Sequence, residues 1–242
     1  MQICGPSLWA FYRRNNIRQR FANYSHTHVK SAEWLQLKRA FVIKLAQLIR
    51  DRKPLCYMDE SSFNSWMRTR KTYKGAKDNI KIVVPKTRSA GITVFGCIGN
   101  CIRGGWLHML AKSTNSADTR TFFSLIRASA TVARDEEIVV VLDNASAHRG
   151  MGATEHFAAL GVKALYMPPY SPELNSIEMV WGRVKERVKA ELAQVVQTLT
   201  IDSTRFTQIV QRALAITPEE AAKAMLNNRH ALSAELGATE AD

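Results

Sequence analysis

The sequence lacks several features that would assign it to common classes of protein. No apolar run approaches the roughly 18 residues of a membrane-spanning helix, and the N-terminus has no signal-peptide pattern. Only four cysteines occur, and Cys97 and Cys101 have no second Cys/His pair at zinc-site spacing. There is no Walker-type phosphate loop and no G-x-S-x-G elbow. These absences predict an intracellular protein with reduced cysteines, without a nucleotide cofactor and without a serine nucleophile.

Acidic residues are scarce relative to basic ones, and this imbalance is unevenly distributed. The 242 residues carry 34 Lys and Arg against 21 Asp and Glu, a formal net charge of +13. Residues 1–52 hold 10 basic and 2 acidic side chains, residues 53–150 hold 15 and 8, and residues 151–242 hold 9 and 11. We therefore expect the first two thirds to bind a polyanion. A general contribution to solubility is the alternative.

The densest basic segment spans residues 66–88. It contains a single acid, Asp78, and two interleaved aromatic residues, Trp66 and Tyr73. Its basic residues are Arg68, Arg70, Lys71, Lys74, Lys77, Lys81, Lys86 and Arg88. This composition suits phosphate contacts with occasional base stacking. The alternative is a solvated hairpin.

Two aspartates follow apolar runs that predict buried strands. Asp143 ends the run Ile138–Leu142, whose five apolar residues indicate a central strand buried on both faces. Asp59 ends the shorter run at residues 55–58. Ligands of open α/β sheets gather at the carboxyl ends of such strands, so we expect these two carboxylates to lie in one site.

A third candidate, Glu178, lies on a predicted helix that starts at Pro172, with Ser171 as its N-cap. The apolar stripe of this helix consists of Leu174, Ile177, Val180, Trp181, Val184 and Val188. A carboxylate beside that stripe is costly unless a positive group such as a metal ion meets it. Three carboxylates suit two hard cations with oxygen ligands, which means Mg²⁺ or Mn²⁺.

The order of predicted elements indicates an α/β protein with a ribonuclease-H-like fold. We predict strands at residues 55–58, 91–98, 104–110, 138–142 and 162–167, and helices at 32–52, 115–134 and 150–160 before the Glu178 helix. The mixed five-stranded sheet would be flanked by helices, with its first three strands forming an antiparallel meander. The predicted organisation is a short helical N-terminal segment (1–20), a linker (21–30), the α/β domain (31–195) and a C-terminal helical extension (196–242). In the extension, Thr217, Pro218 and Glu220 mark a helix start, and we expect a frayed tail from about residue 234.

Three segments together resemble a known family. YMDESSF, VVLDNASAH and PPYSPELNSIEMVW, in that order, resemble the motif blocks of the DDE transposase domain, and most closely the mariner-type superfamily and its bacterial insertion-sequence branch. The 34 residues between Asp143 and Glu178 match the spacing of that family. Ser176 is one departure, since the family usually has proline there.

The resemblance implies roles for the site residues. Asp59, Asp143 and Glu178 would be the catalytic acids and would hold two Mg²⁺ ions, with Mn²⁺ as a substitute and Asp59 bridging both. His148 matches the histidine of the second block, and Asn144, His148 and Asn175 would support the site; a turn-shaping role for His148 is the alternative. Arg68, Arg70, Lys71, Lys74 and Lys77 would contact DNA.

The resemblance also implies cut-and-paste transposition. The partners would be DNA, as transposon ends and target, and a second copy of the chain on that DNA, with no membrane and, in a bacterium, a cytoplasmic, nucleoid-associated location. Residues 7–14 resemble the last helix of the family's second helix-turn-helix unit, so we expect an N-terminally truncated member. Two alternatives remain: a catalytically inactive or host-adopted DNA-binding remnant, and a ribonuclease-H-like nuclease acting on another nucleic acid.

Overall fold

The computed structural model describes residues 31–67, 91–144, 153–195 and 201–239, together with residues 10 and 14. Several sequence predictions therefore lie outside the described residues. These are the predicted linker, most of the predicted helix at 7–14, His148, and the basic residues Arg68, Arg70, Lys71, Lys74 and Lys77.

A mixed five-stranded sheet forms the centre of the described structure. Its strands are β1 (Leu55–Phe63), β2 (Ile92–Gly99), β3 (Trp106–Ala111), β4 (Ile138–Leu142) and β5 (Val162–Tyr166), in the order β3-β2-β1-β4-β5. Strands β1, β2 and β3 are antiparallel neighbours, whereas β1, β4 and β5 run parallel. The predicted meander and the predicted five-stranded mixed sheet are both confirmed.

Strand β1 is longer than its apolar run predicted. Its parallel pairing with β4 ends at Tyr57, but its antiparallel pairing with β2 continues to Phe63. Asp59 therefore lies within β1 rather than at its end. The prediction was wrong because the polar residues after Met58 keep their backbone hydrogen bonds through β2, which a local apolar pattern does not reveal.

Six helices are described around the sheet. They are α1 (Ala32–Arg50), α2 (Ser116–Ser129), α3 (Ala153–Ala159), α4 (Ile177–Val195), α5 (Ser203–Ala213) and α6 (Pro218–Thr239). Four of them begin with a side-chain cap: Ser31 accepts from the amide of Trp34 at α1, Asn115 from Asp118 at α2, Asp202 from Arg205 at α5, and Thr217 from Glu220 at α6. These caps satisfy amides that a helix start leaves without an intrahelical partner.

The start of α4 differs from the prediction. Residues Pro172–Leu174 form a separate 3₁₀ turn, and the α-helix begins only at Ile177. Asn175 interrupts the two because its backbone is extended, with φ −100° and ψ 106°. Ser171 is not a capping side chain: it is buried, and its hydroxyl donates to the carbonyl oxygen of Pro169 at 3.3 Å.

Two hydrophobic cores lie on opposite faces of the sheet. Side chains of α1, α4, α5 and α6 cover one face, which includes Tyr57, and those of α2 and α3 cover the other, which includes Met58. Cys56, Cys97 and Cys101 are buried free thiols, as expected for the described cysteines. Among the described helices, none is long and apolar enough to cross a membrane.

The C-terminal helices complete the first of these cores. Thr217 and Glu220 each accept from the other's amide at 3.2 Å, so the predicted capping box at the start of α6 is confirmed. Helix α6 continues to Thr239, so the tail predicted from residue 234 is wrong: the last turns remain helical. Glu220 also pairs with Arg183 and Arg187 of α4, at 3.4 and 2.7 Å, which fastens α6 to that helix.

Candidate active site

The strand register brings Asp59 and Asp143 together. The last parallel pair between β1 and β4 joins Tyr57 to Val141, and continuing that register by two residues sets Asp59 level with Asp143. Side chains alternate across a strand, and Tyr57 and Val141 both lie in the core beneath α4. Both aspartates therefore belong to the face of the sheet that α4 covers.

Glu178 reaches this face from the first turn of α4. Its neighbours Ile177, Val180 and Trp181 are buried and hold the helix against the sheet. The Glu178 side chain itself is exposed. The sequence argument that burial would make this carboxylate costly is therefore wrong, because the helix turns Glu178 away from its apolar stripe.

The three carboxylates line a single cleft of about 460 Å³. Its other walls come from Asn144, Asn175 and the segment from Met167 to Pro172. The cleft lies beyond the carboxyl end of β4, at the point where the parallel pairing of β4 with β1 ends, and sheet topology predicts a ligand site there.

The pKa of Asp59 is raised well above its ordinary value. Burial is the largest cause that raises the pKa of Asp59 to about 7, and the charges of Glu178, Glu60 and Asp143 raise it further. The acids therefore lie close enough to repel one another. Within the described residues, however, no three His, Cys, Asp or Glu side chains stand close enough together to hold a metal ion as they are arranged. The carboxylates share one cleft without converging on one point.

The predicted supporting residues fall into different positions. Asn175 is buried, and its side-chain amide donates to the carbonyl oxygen of Met58 at 3.3 Å, which ties the start of α4 to the residue before Asp59. The Asn175 Oδ1 atom is buried without a hydrogen-bond partner among the described residues. Asn144 is exposed at the cleft, and His148 lies outside the described residues.

Comparison with known proteins adds the family to this geometry. The family profile described as "DDE superfamily endonuclease" matches residues 54–221, which is most of the chain and contains all three acids. This chain belongs to the DDE superfamily endonucleases. No curated protein sequence matches it.

Solved structures support the fold of this DDE domain. The paired-end complex of Mos1 mariner transposase with Mg matches 95% of this chain and 70% of that one, at a TM-score of 0.61 and 13% identity. The Mos1 transposase paired-end complex with the left transposon end matches 92% and 70%, at a TM-score of 0.57 and 14% identity. The DDE domain here therefore has the ribonuclease-H-like fold that was predicted.

The sequence patterns did not reveal one residue that shapes the acidic cleft from the neighbouring strand. Gly96 of β2 pairs directly with Asp59. A Cβ atom at Gly96 would lie 2.6 Å from the ring of Trp181 and 2.8 Å from that of Trp106. Because Gly96 has no side chain, Trp181 of α4 can approach the sheet beside Asp59. Trp181 is three residues after Glu178 on that helix. A lone glycine in an apolar run could have been noticed as a possible close approach.

Helix α1 supports the wall of the acidic cleft that the segment from Met167 to Pro172 forms. The indole N–H of Trp34 donates to the carbonyl oxygen of Pro169 at 2.8 Å, and Lys38 pairs with Glu173 at 3.1 Å. Between those two anchors, Tyr170 is about half exposed and has a positive φ of 58°. No local sequence pattern connects residues so far apart, so these contacts could not be predicted.

Proposed function

We propose that this chain is a transposase of the mariner-type superfamily, in its bacterial insertion-sequence branch, that cuts DNA and joins a 3′-hydroxyl end to a target. One observation carries the proposal. The three acids that match the family motif come from β1, β4 and α4, yet they line one cleft in a domain that matches the family over residues 54–221. Distant acids gather in this way only through the fold.

The residues of the cleft fit divalent metal ions. All three acids offer carboxylate oxygens, and the buried Asn175 Oδ1 atom offers a further oxygen without a partner among the described residues. Oxygen-only donor sets suit Mg²⁺ and Mn²⁺. Asp143 and Glu178 are exposed and line the same cleft as Asp59.

Asp59, Asp143 and Glu178 are the residues that would hold these ions. When bound, a pair of ions supplies activation of the attacking water or 3′-hydroxyl and stabilisation of the leaving oxygen. The chain itself contributes negative charge to the cleft, because Asp59 lies in β1, Asp143 directly follows β4, and Trp34 braces the wall at Pro169. The Mos1 structures that match this fold include complexes with Mg and with Mn, which agrees with the proposed choice of ion.

DNA as the substrate is supported by charge and by likeness. The chain has a net charge of +13, which favours a polyanionic partner. The similar Mos1 structures are transposase complexes with transposon ends. The basic residues predicted to contact phosphate, from Arg68 to Lys77, remain part of this proposal.

The experiment must separate transposition from its two alternatives. The purified chain is incubated with Mg²⁺ and a labelled duplex that ends in a 3′-hydroxyl, together with a supercoiled target plasmid. A transposase yields plasmid joined to the labelled strand. Cleavage of an RNA–DNA hybrid without joined products would favour the ribonuclease-H-like nuclease, and duplex binding without any cleavage would favour an inactive remnant.

A further inference from the structure

A second polar cavity lies at the N-terminal end of β1, whereas Asp59 of the acidic cleft lies in the middle of that strand. It has a volume of about 310 Å³, which is at the lower end for small-molecule sites. We call it the basic cavity, and its lining residues are Ile49, Arg50, Arg52, Lys53, Leu55, Tyr57, Asn100 and Met225. No residue lines both the basic cavity and the acidic cleft. The two sites are therefore separate.

The rim of the basic cavity is fixed by backbone hydrogen bonds where α1 ends. The amides of Arg52 and Lys53 donate back to the carbonyl oxygens of Ile49 and Leu48, at 3.1 and 3.0 Å. The side chain of Asn100 then accepts from the amide of Leu55 at 2.8 Å and donates to the carbonyl oxygen of Lys53 at 3.0 Å. The backbone of residues 52–55 is therefore held by the end of α1 on one side and by Asn100 on the other.

Arg52 occupies a backbone conformation that favours glycine. Its φ is 53°, in the left-handed region, at the position after the helix where glycine is common because it has no Cβ atom. Residues held in such conformations cluster at functional sites. Arginine at this position brings a guanidinium group to the cavity at a cost in backbone strain.

The three cations of the basic cavity are exposed and form no ion pair with any described residue. Asp51 is the only acid in the same turn, and it does not line the cavity. The partial negative charge at the end of a helix favours basic residues in its last turn, which accounts for Arg50. It does not account for a strained arginine and a further lysine beyond the helix end.

We propose that the basic cavity binds a phosphate group of duplex DNA at a place separate from the acidic cleft. This inference rests on the proposed function, because it takes DNA as the partner. Three cations around one concave site match a phosphate group, which either the DNA backbone or free phosphate could supply. We assign the DNA backbone, since it offers neighbouring phosphates to the exposed side chains at the rim.

The first test compares two triple variants with equal loss of charge. One is Arg50→Gln with Arg52→Gln and Lys53→Gln. The matched control is Arg103→Gln with Lys112→Gln and Lys223→Gln, three exposed cations outside the cavity. Duplex binding is measured by fluorescence anisotropy across a range of salt concentrations. The slope of log K against log salt is negative. The cavity variant is expected to reduce the magnitude of this slope by about 0.9 for each lost phosphate contact, and the control variant is expected to reduce it by less.

A single substitution at Arg52 separates binding from folding. Arg52→Gly removes the strain at φ 53° and is expected to raise the Tm while weakening duplex binding several-fold, whereas Arg52→Lys should keep most of the binding. If Arg52 had only a structural role, the Tm would not rise while the affinity for duplex DNA falls. A higher Tm with unchanged DNA binding would overturn the assignment.

Inorganic pyrophosphate distinguishes the two sources of phosphate. One outcome is that pyrophosphate raises the Tm of the unmodified chain while the cavity variant and the control variant have the same affinity for duplex DNA. In that case the cavity binds a phosphate group that is free in solution, and the DNA assignment is wrong. If the unmodified chain binds no duplex at all, the proposed function fails together with this inference. Equal salt slopes for the two triple variants would remove the inference alone.

Discussion

Gly96 lies directly opposite Asp59 across the β1–β2 pair, and the ring of Trp181 occupies the space that a side chain at Gly96 would fill. Trp181 follows Glu178 by one turn of α4. The ring also packs edge-on against Trp106 at 5.7 Å and Phe63 at 6.2 Å between centroids. The separation between the helix carrying Glu178 and the strand carrying Asp59 therefore depends on the absence of a side chain at Gly96.

Adding one methyl group at Gly96 should destabilise the chain. In Gly96→Ala the new Cβ atom would lie 2.6 Å from Trp181, whose ring is confined by its neighbours. Overpacking of this kind costs about 1–3 kcal/mol in the free energy of unfolding, measured by urea denaturation. The control is Gly182→Ala, next to Trp181 on α4. A Cβ atom at Gly182 meets nothing within 4 Å, and this substitution should stabilise the folded chain by about 1 kcal/mol. Equal effects of the two variants would refute the close approach.

The raised pKa of Asp59 predicts how stability changes with pH. Below pH 4 the carboxyl group is protonated in both the folded and the unfolded chain. Between pH 4 and about 7 the unfolded chain releases this proton and the folded chain retains it, so the free energy of unfolding falls as the pH rises. Asp59→Asn should remove this loss, and in metal-free buffer at pH 8 it should stabilise the chain by roughly 2–4 kcal/mol.

Urea denaturation of both proteins at pH 4.5 and pH 8 checks this expectation. The stabilisation by Asp59→Asn should be clearly larger at pH 8 than at pH 4.5. Glu173→Gln is a suitable control, because Glu173 is exposed and pairs with Lys38 on the outer side of the wall. If Asp59→Asn stabilised the chain equally at both pH values, Asp59 would not titrate as its surroundings imply.

Addition of Mg²⁺ should reverse this pH dependence. Metal binding requires the ionised carboxylate, and the pKa of Asp59 is about 7. We therefore expect about 10 mM Mg²⁺ to raise the Tm more at pH 8 than at pH 5.5, with Na⁺ at equal ionic strength as the control. An increase of the same size at both pH values would indicate binding elsewhere than at Asp59.

Asn175 should matter for catalysis beyond its contribution to stability. Asn175→Ala removes the bond to the carbonyl oxygen of Met58 and loosens the start of α4 relative to Asp59. A misplacement of about 1 Å can slow a reaction by roughly a hundredfold. We therefore expect kcat to fall by a larger factor than the affinity for DNA. Asn228→Ala is the matched control, since Asn228 is buried and donates to the carbonyl oxygen of Leu174 in the same turn without lining the cleft. Equal losses of kcat would argue for a structural role alone.

Trp34 should stabilise the wall of the cleft from a distance. Trp34→Phe keeps the ring but removes the donor to Pro169. The loss of one hydrogen bond costs about 0.5–1.5 kcal/mol, and we expect a similar fall in the free energy of unfolding with a lower rate of DNA cleavage. Trp66→Phe, at an exposed tryptophan outside the cleft, should leave the free energy of unfolding unchanged. Identical behaviour of the two variants would remove the role of the Trp34 hydrogen bond.

Sequence patterns predicted the parts of this structure that depend on local chemistry. The apolar run of β4 and the capping box at Thr217 are such features, and both appear as expected. The order of strands and helices also predicted that Asp59 and Asp143 could meet, because β1 and β4 are parallel neighbours in the sheet.

The remaining features depend on contacts between distant residues. The length of β1 depends on β2, and the exposure of Glu178 depends on where α4 begins after the 3₁₀ turn. The close approach at Gly96 and the brace at Trp34 join residues that are far apart in the chain. A one-dimensional pattern contains no information about such distances, so the shape of the cleft could not be predicted even though its three acids could.

The most direct test of the account is metal-dependent cleavage of duplex DNA by the unmodified chain and by Asp59→Asn, Asp143→Asn and Glu178→Gln. Each variant should bind duplex as the unmodified chain does, and circular dichroism should show that each is folded. The account predicts cleavage in Mg²⁺ by the unmodified chain only, with each single substitution abolishing it. Full cleavage by any one of the three variants would contradict a shared site at these carboxylates.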